Sequence, residues 1–546
     1  MQSTIIKANI IVFIASFCTL VIELVAGRIM APFVGVSLYT WTSIIGVVLA
    51  GISIGAYLGG RIADRYPRPS TLGWLLFFSG LGAFSISPLT NLVGAAQFQT
   101  SLMVRILLIT TIVFFVPSCI LGMISPVVVR LTLNNLEKTG NVVGKIYAFS
   151  TLGSILGTFA TGFFLISWMG TRHILLTMGV ILVLSALVFG DFLKRRKSGM
   201  LILLFIFLSL TLPIAAWHGY AAINRDIPSL PASPLESIKA FYGYAFQPPL
   251  DEETFFFKES DYYAIKVKRD TTRSGGDPLE SLVLDHLVHS YTDLKDPFYL
   301  EYEYIRIYEE MVRWQARQKK SFKALFMGGG GYTFPRFIRA KYPTAEVDVA
   351  EIDPEVTRVA KTYLGISDET RIRTFNGDAR WYVMNCKEKG SYDFIFGDAF
   401  NDLSIPYHLT TKEFAMQLKA LLKPDGCLLA NVIDSFKKGR FMPSYIRTLE
   451  EVFGKGKVHL IALSSDYDHI GISTFVVVAS SQKLDMDDFV RRIGEGGKKE
   501  MTSHVMPQDR LQQYLKDRYS VILTDDYVPV DNLIALIFEE RFGYQQ

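Results

Sequence analysis

Four consecutive glycines, Gly328, Gly329, Gly330 and Gly331, follow the apolar run "KALFM". A loop without side chains lets the backbone pass close to a ligand. Three carboxylates then fall at the ends of the next three apolar runs. Glu351 closes "EVDVAE", Asp378 follows "IRTFNG", and Asp398 follows "YDFIFG". Alone, each reads as a flexible turn or a helix cap; together they describe one site. An acid at the end of a second strand suits the two vicinal hydroxyls of a ribose, in NAD and in S-adenosyl nucleosides alike. Asp378 is placed to accept a hydrogen bond from an adenine amino group. The loop lacks the Lys-Ser/Thr of a phosphate-binding loop, which disfavours ATP. Nor is it GxGxxG in the strict dinucleotide sense.

The elements that must position these residues alternate. The runs "KALFM", "EVDVAEID", "IRTFNGD", "YDFIFGD" and "CLLANVI" read as strands, with helical patterns over "FPRFIRAKY", "PEVTRVAKTYL" and "TKEFAMQLKALLKPDG". Such alternation predicts a mainly parallel, doubly wound α/β sheet. Ligands bind beyond the carboxyl ends of its strands, where the glycines and acids fall. "KVHLIAL" and "STFVVVAS" predict a closing hairpin, and a helix is expected over Tyr299 to Gln318. Before the sheet, residues 255–295 predict a small antiparallel β subdomain, and the Pro-rich stretch 218–254 reads as a linker. The Rossmann-like domain is assigned to 296–546.

The first 217 residues are of another kind. Seven apolar stretches near 8–29, 41–60, 71–95, 104–129, 146–168, 173–190 and 199–217 approach the roughly 20 residues that a bilayer crossing needs. A multi-span α-helical bundle is predicted, with the lipid bilayer as its partner. Gly51, Gly55 and Gly59, and likewise Gly153 and Gly157, are spaced to let helices approach closely. Glu23 sits inside the first span, either paired with Arg28 or functional. Basic residues gather in alternate loops, among them Arg61, Arg65, Arg68, Arg130, Lys145 and Arg195. These loops and the N-terminus are expected on the cytoplasmic side. Seven crossings would then put the soluble half outside.

The net charge is only +4, so no nucleic-acid partner is expected. Cys18, Cys119, Cys386 and Cys427 form no CxxC pair and no cluster with histidine, so no metal is expected.

The blocks "MGGGGYTFPRF", "VAEIDPEV", "NGDARWYV", "YDFIFGDAFND" and "LTTKEF…LLKPDG" resemble, in order and spacing, those of the spermidine synthase (polyamine aminopropyltransferase) family. The closer resemblance is to its membrane-fused bacterial members. The resemblance implies transfer of an aminopropyl group from decarboxylated S-adenosylmethionine to a polyamine or other cationic amine, with methylthioadenosine released. It makes Asp398 the base, with Tyr302 near the amine. Glu351 would hold the ribose, Asp378 and Ala379 the adenine, and Pro406 would line the nucleoside pocket. Tyr263 and His289 stand where the family has glutamines and are counted with that pocket.

The departures cluster at the amine end. The family loop GGGDGG becomes glycine at Gly331, its Tyr-His pair becomes Tyr302-Glu303, and its DxxD becomes Asp398 with Asn401, Asp402 lying one place later. Glu303, Asn401 and Asp402 are the expected acceptor-binding residues, and "TDDYVPVDN" is a second source of negative charge or a capped turn. A missing loop acid would no longer repel the carboxylate of intact S-adenosylmethionine. Methyl transfer to an amine, as in the similar putrescine N-methyltransferases, is therefore a rival reading. A catalytically silent ligand-binding or transport-coupled module is a third. Family members often self-associate, so a homo-oligomer is possible by resemblance. The donor chemistry favours a cytoplasmic soluble domain, against the loop-charge argument.

Overall fold

The computed structural model describes residues 2–35, 37–94, 100, 102–133, 139–191, 236, 250–270, 277–399, 405–495 and 501–535. The chain divides into two compact units, Met1–Asp251 and Glu252–Gln546.

Among the described residues of the first unit, six helices are long and apolar enough to cross a membrane: Ile5–Val34, Leu38–Arg65, Pro69–Gly94, Met103–Thr132, Thr139–Met169 and Thr171–Phe189. They correspond to the first six expected spans. The expected seventh, 199–217, lies outside the described residues, as does most of the expected linker. The small residues act as the spacing implies. A Cβ on Gly55 would stand 2.0 Å from the carbonyl oxygen of Cys119, and one on Gly153 would stand 2.3 Å from that of Phe13. Backbones touch there, which side chains would prevent. Arg172, the second residue of the helix Thr171–Phe189, is buried. Its guanidinium donates to Ser87 Oγ and Asn91 Oδ1, both at 2.8 Å, which satisfies a charge that would be costly alone.

The second unit opens with four antiparallel strands in sequential order: β1 (Thr254–Glu259), β2 (Ala264–Asp270), β3 (Leu279–Leu284) and β4 (Leu287–Thr292). The larger sheet holds β5 (Lys323–Met327), β6 (Glu346–Glu351), β7 (Ile372–Asn376), β8 (Tyr392–Gly397), β9 (Leu422–Ser435), β10 (Val458–Ala462), β11 (Ile472–Ser480) and β12 (His504–Val505). Their order is β12-β10-β11-β9-β8-β5-β6-β7. From β9 to β7 all pairs are parallel, while β10, β11 and β12 join antiparallel. Every residue of β5 and β8 is buried, as helix-covered parallel strands require. Phe326 stacks on Phe396 across them, with ring centroids 4.5 Å apart. The carboxyl ends of β6, β5, β8 and β9 thus share one rim.

Two local readings change. "LLKPDG", expected to end a helix in a turn, instead starts β9 at Leu422. Pro424 lacks the N–H a helix needs and pushes Lys423 toward extended backbone. The helix expected over Tyr299 to Gln318 spans Glu303–Gln315, with Tyr302 extended at its start.

Candidate active site

The glycine loop leaves β5 and turns sharply. Gly328 has φ +95° and Gly330 φ +48°, conformations that side chains resist. A Cβ on Gly328 would also lie 2.5 Å from the carbonyl oxygen of Asp398. Gly328 N–H donates to Ala350 O at 2.9 Å, and Asp398 N–H donates to Met327 O at 3.0 Å, so the loop is held between the ends of β6 and β8. Tyr332, at φ +57°, buries its ring and shares a 2.9 Å hydrogen bond between its hydroxyl and Thr357 Oγ1.

Glu351 braces this loop. Its buried carboxylate accepts Gly329 N–H at 2.7 Å and Asp353 N–H at 3.0 Å. Burial raises its pKa, while the N–H donors of Asp353, Gly329 and Gly330 act the other way. A carboxylate has about four acceptor sites, so acceptor capacity remains for a ribose hydroxyl. Asp353 caps the helix Pro354–Tyr363 and takes a hydrogen bond from Ser260, which ties the small sheet to this rim. Tyr263 is close by: burial first, then the Glu351 carboxylate, raises its phenol well above the usual range.

Asp378 caps the helix Ala379–Asn385, accepting Trp381 N–H at 2.9 Å, and its other oxygen lies 2.7 Å from His408 Nε2. Ala379 is buried at the first helical position, and Pro406 leads into the turn Tyr407–Leu409 that carries His408. Asp525 pairs with Arg380, which also donates to His408 O at 3.0 Å.

Asp398 is held on both oxygens. Tyr304 O–H donates to Oδ2 at 2.8 Å, and Asn431 Nδ2 donates to Oδ1 at 2.9 Å. Burial raises the carboxyl above its ordinary pKa, and the Asn431 and Tyr304 hydrogen bonds offset part of that. The Tyr304 phenol is itself raised well above its usual value by burial and then by the Asp398 charge, so it stays protonated and donates.

A cavity of about 430 Å³ opens here, lined by all four glycines, Asp398, Tyr302, Tyr304, His289 and Asn431. Tyr302 O–H donates to Val288 O at 2.6 Å. Glu351, Asp378, Ala379, Pro406 and Tyr263 do not line this cavity; they lie along the rim beyond the glycine loop. Glu303 is exposed and does not line it, and Asn401 and Asp402 lie outside the described residues. Tyr304 and Asn431 escape the sequence reading although they touch the central carboxylate.

The family description "Spermine/spermidine synthase domain" matches residues 306–482, the stretch that holds Gly328, Glu351, Asp378, Asp398 and Asn431. Over that stretch the chain is similar to spermine/spermidine synthases. A polyamine aminopropyltransferase of Vibrio vulnificus is 38% identical over 134 residues, 24% of this chain and 44% of that protein. Polyamine aminopropyltransferase 2 of Aquifex aeolicus is 25% identical over 491 residues, 88% of each chain. The crystal structure of a probable spermidine synthase from Corynebacterium glutamicum superposes with a TM-score of 0.43 and 21% identity, covering 50% of this chain and 97% of that one.

Proposed function

We propose that the second unit transfers an aminopropyl group from decarboxylated S-adenosylmethionine to an amine, releasing methylthioadenosine. The observation that carries this reading is Asp398, gripped by Tyr304 and Asn431 in the wall of a cavity that the glycine loop also lines. Glu351 takes a ribose hydroxyl with its spare acceptor capacity. Asp378, Ala379 and Pro406 lie at the adenine end, and Tyr263 and His289 flank the nucleoside. An alkylamine is protonated at neutral pH and has no lone pair to use. Asp398 accepts that proton. The nitrogen lone pair then forms a bond to the carbon next to the sulfonium, the carbon–sulfur bond breaks, and its electrons neutralise the sulfur. Tyr302 positions the amine, and Glu303, Asn401 and Asp402 are the proposed acceptor contacts. Analysis of the released nucleoside tests this: methylthioadenosine supports it, and S-adenosylhomocysteine identifies methyl transfer instead.

The pH dependence has a definite sign. The base works deprotonated, so the rate falls as pH drops through the raised pKa of Asp398. Tyr304→Phe removes a hydrogen bond that favours the charged form. Its acidic limb moves to higher pH than wild type in a kcat profile. An unmoved or lowered limb contradicts the arrangement.

We further propose that the domain faces the cytoplasm. The six apolar helices among the described residues leave Phe189 on the side of the N-terminus, where the basic loops are also expected, and the donor is a cytosolic nucleoside in the resembling family. A reporter fused after Gln546 is expected to be active on the cytoplasmic side. Activity outside would mean an odd number of crossings and would remove the domain from its donor.

A further inference from the structure

The cavity wall beside Gly331 is formed by β4. A Cβ added at Gly331 would lie 1.9 Å from Ser290 Oγ and 2.8 Å from Ser290 Cβ. Gly331 does not have the left-handed backbone of Gly328 and Gly330, so conformational freedom does not account for this glycine. Ser290 does, because it fills the space a side chain would need. Ser290 is 6% exposed and lines the cavity, and its hydroxyl has no hydrogen-bond partner among the described residues. Asn431 Oδ1 is a second buried, unpartnered oxygen on the same cavity. Buried polar groups are rarely left unpaired. Two such atoms facing one cavity point to a ligand with hydrogen-bonding groups of its own.

We propose that Ser290 is a specificity-determining residue that meets the far end of the donor's sulfonium chain with a neutral hydroxyl, so that donors with and without an α-carboxylate both fit. This rests on the sulfonium-nucleoside reading above. With the ribose at Glu351, the chain passes the glycine loop into the cavity, and its terminal ammonium donates to Ser290 Oγ. Tyr291 and Thr333 line the same end, and Thr333 opens the helix Thr333–Lys341. Among the described lining residues the only carboxylate is Asp398, so no second anion lines the cavity beside Ser290 to repel a carboxylate on the donor. Discrimination between the two donors is therefore weak at equilibrium. A carboxylate at position 290 would create it.

The test is calorimetric binding to the full chain in detergent, with methylthioadenosine, decarboxylated S-adenosylmethionine and intact S-adenosylmethionine. Wild type is expected to bind the two sulfonium donors within about tenfold of each other, a difference of about 1.4 kcal/mol. Ser290→Asp shifts the ratio at least about tenfold toward the decarboxylated donor. Ser290→Ala weakens both donors severalfold and leaves methylthioadenosine unchanged. Gly331→Asp alone lowers the melting temperature, and adding Ser290→Gly restores it, as expected for two residues competing for one space. Donor affinities and their ratio unmoved by either Ser290 variant, with methylthioadenosine still bound, would overturn the role of Ser290 alone. Methylthioadenosine that binds no variant, wild type included, would overturn the nucleoside reading and this proposal with it.

Discussion

Asp398→Asn protein will bind methylthioadenosine as wild type does and turn over about a hundredfold to ten-thousandfold more slowly, the range usual for loss of a positioned general base. The substitution keeps the size of the side chain and loses the negative charge. One of its termini becomes an NH2 that faces either the Tyr304 hydroxyl or the Asn431 amide, both of which now donate. The site is thereby left without a proton acceptor beside the amine. Single-turnover rates with bound donor separate the chemical step from binding. Near-wild-type rates would move the base elsewhere and leave Asp398 as a loop brace.

Glu351→Ala carries the second large effect, on affinity and on stability together. It strips the acceptor from Gly329 N–H and from Asp353 N–H in a buried setting. Each orphaned donor costs about 1–3 kcal/mol, so the melting temperature falls. Methylthioadenosine affinity drops by about a hundredfold or more, because the ribose contact and the shape of the glycine loop go together. Glu351→Gln keeps one acceptor and is expected to lie between. Calorimetry and thermal unfolding on the same preparations decide the matter. A destabilised protein with unchanged nucleoside affinity would make Glu351 a purely structural brace.

The rim of strand ends is legible in the sequence because short, wholly apolar runs ending in Gly or Asp leave few alternatives to buried parallel strands. Gly328, Glu351 and Asp398 fall where the parallel registers of β5, β6 and β8 place them. Asn431 is not legible in that way. It reaches Asp398 only because β9 lies beside β8 with Ala430 opposite Gly397, a pairing that depends on sheet order. Tyr304 is hidden by its neighbour. Both tyrosines precede or open a helix, but Tyr302 remains extended while Tyr304 enters the first turn, and that one turn swings its hydroxyl onto Asp398. The same turn leaves Glu303 exposed. Gly331 is visible as a departure from a pattern, whereas its cause, Ser290 on another sheet, needs the packing of β4 against the loop.

The central claim is tested most directly by the mass of the amine product. The purified chain is given decarboxylated S-adenosylmethionine labelled in the aminopropyl carbons, together with diamine and monoamine acceptors. The account predicts an acceptor heavier by one labelled aminopropyl group, formed one for one with methylthioadenosine and lost in Asp398→Asn. An acceptor that gains only a methyl group, from intact S-adenosylmethionine and with S-adenosylhomocysteine released, would contradict it.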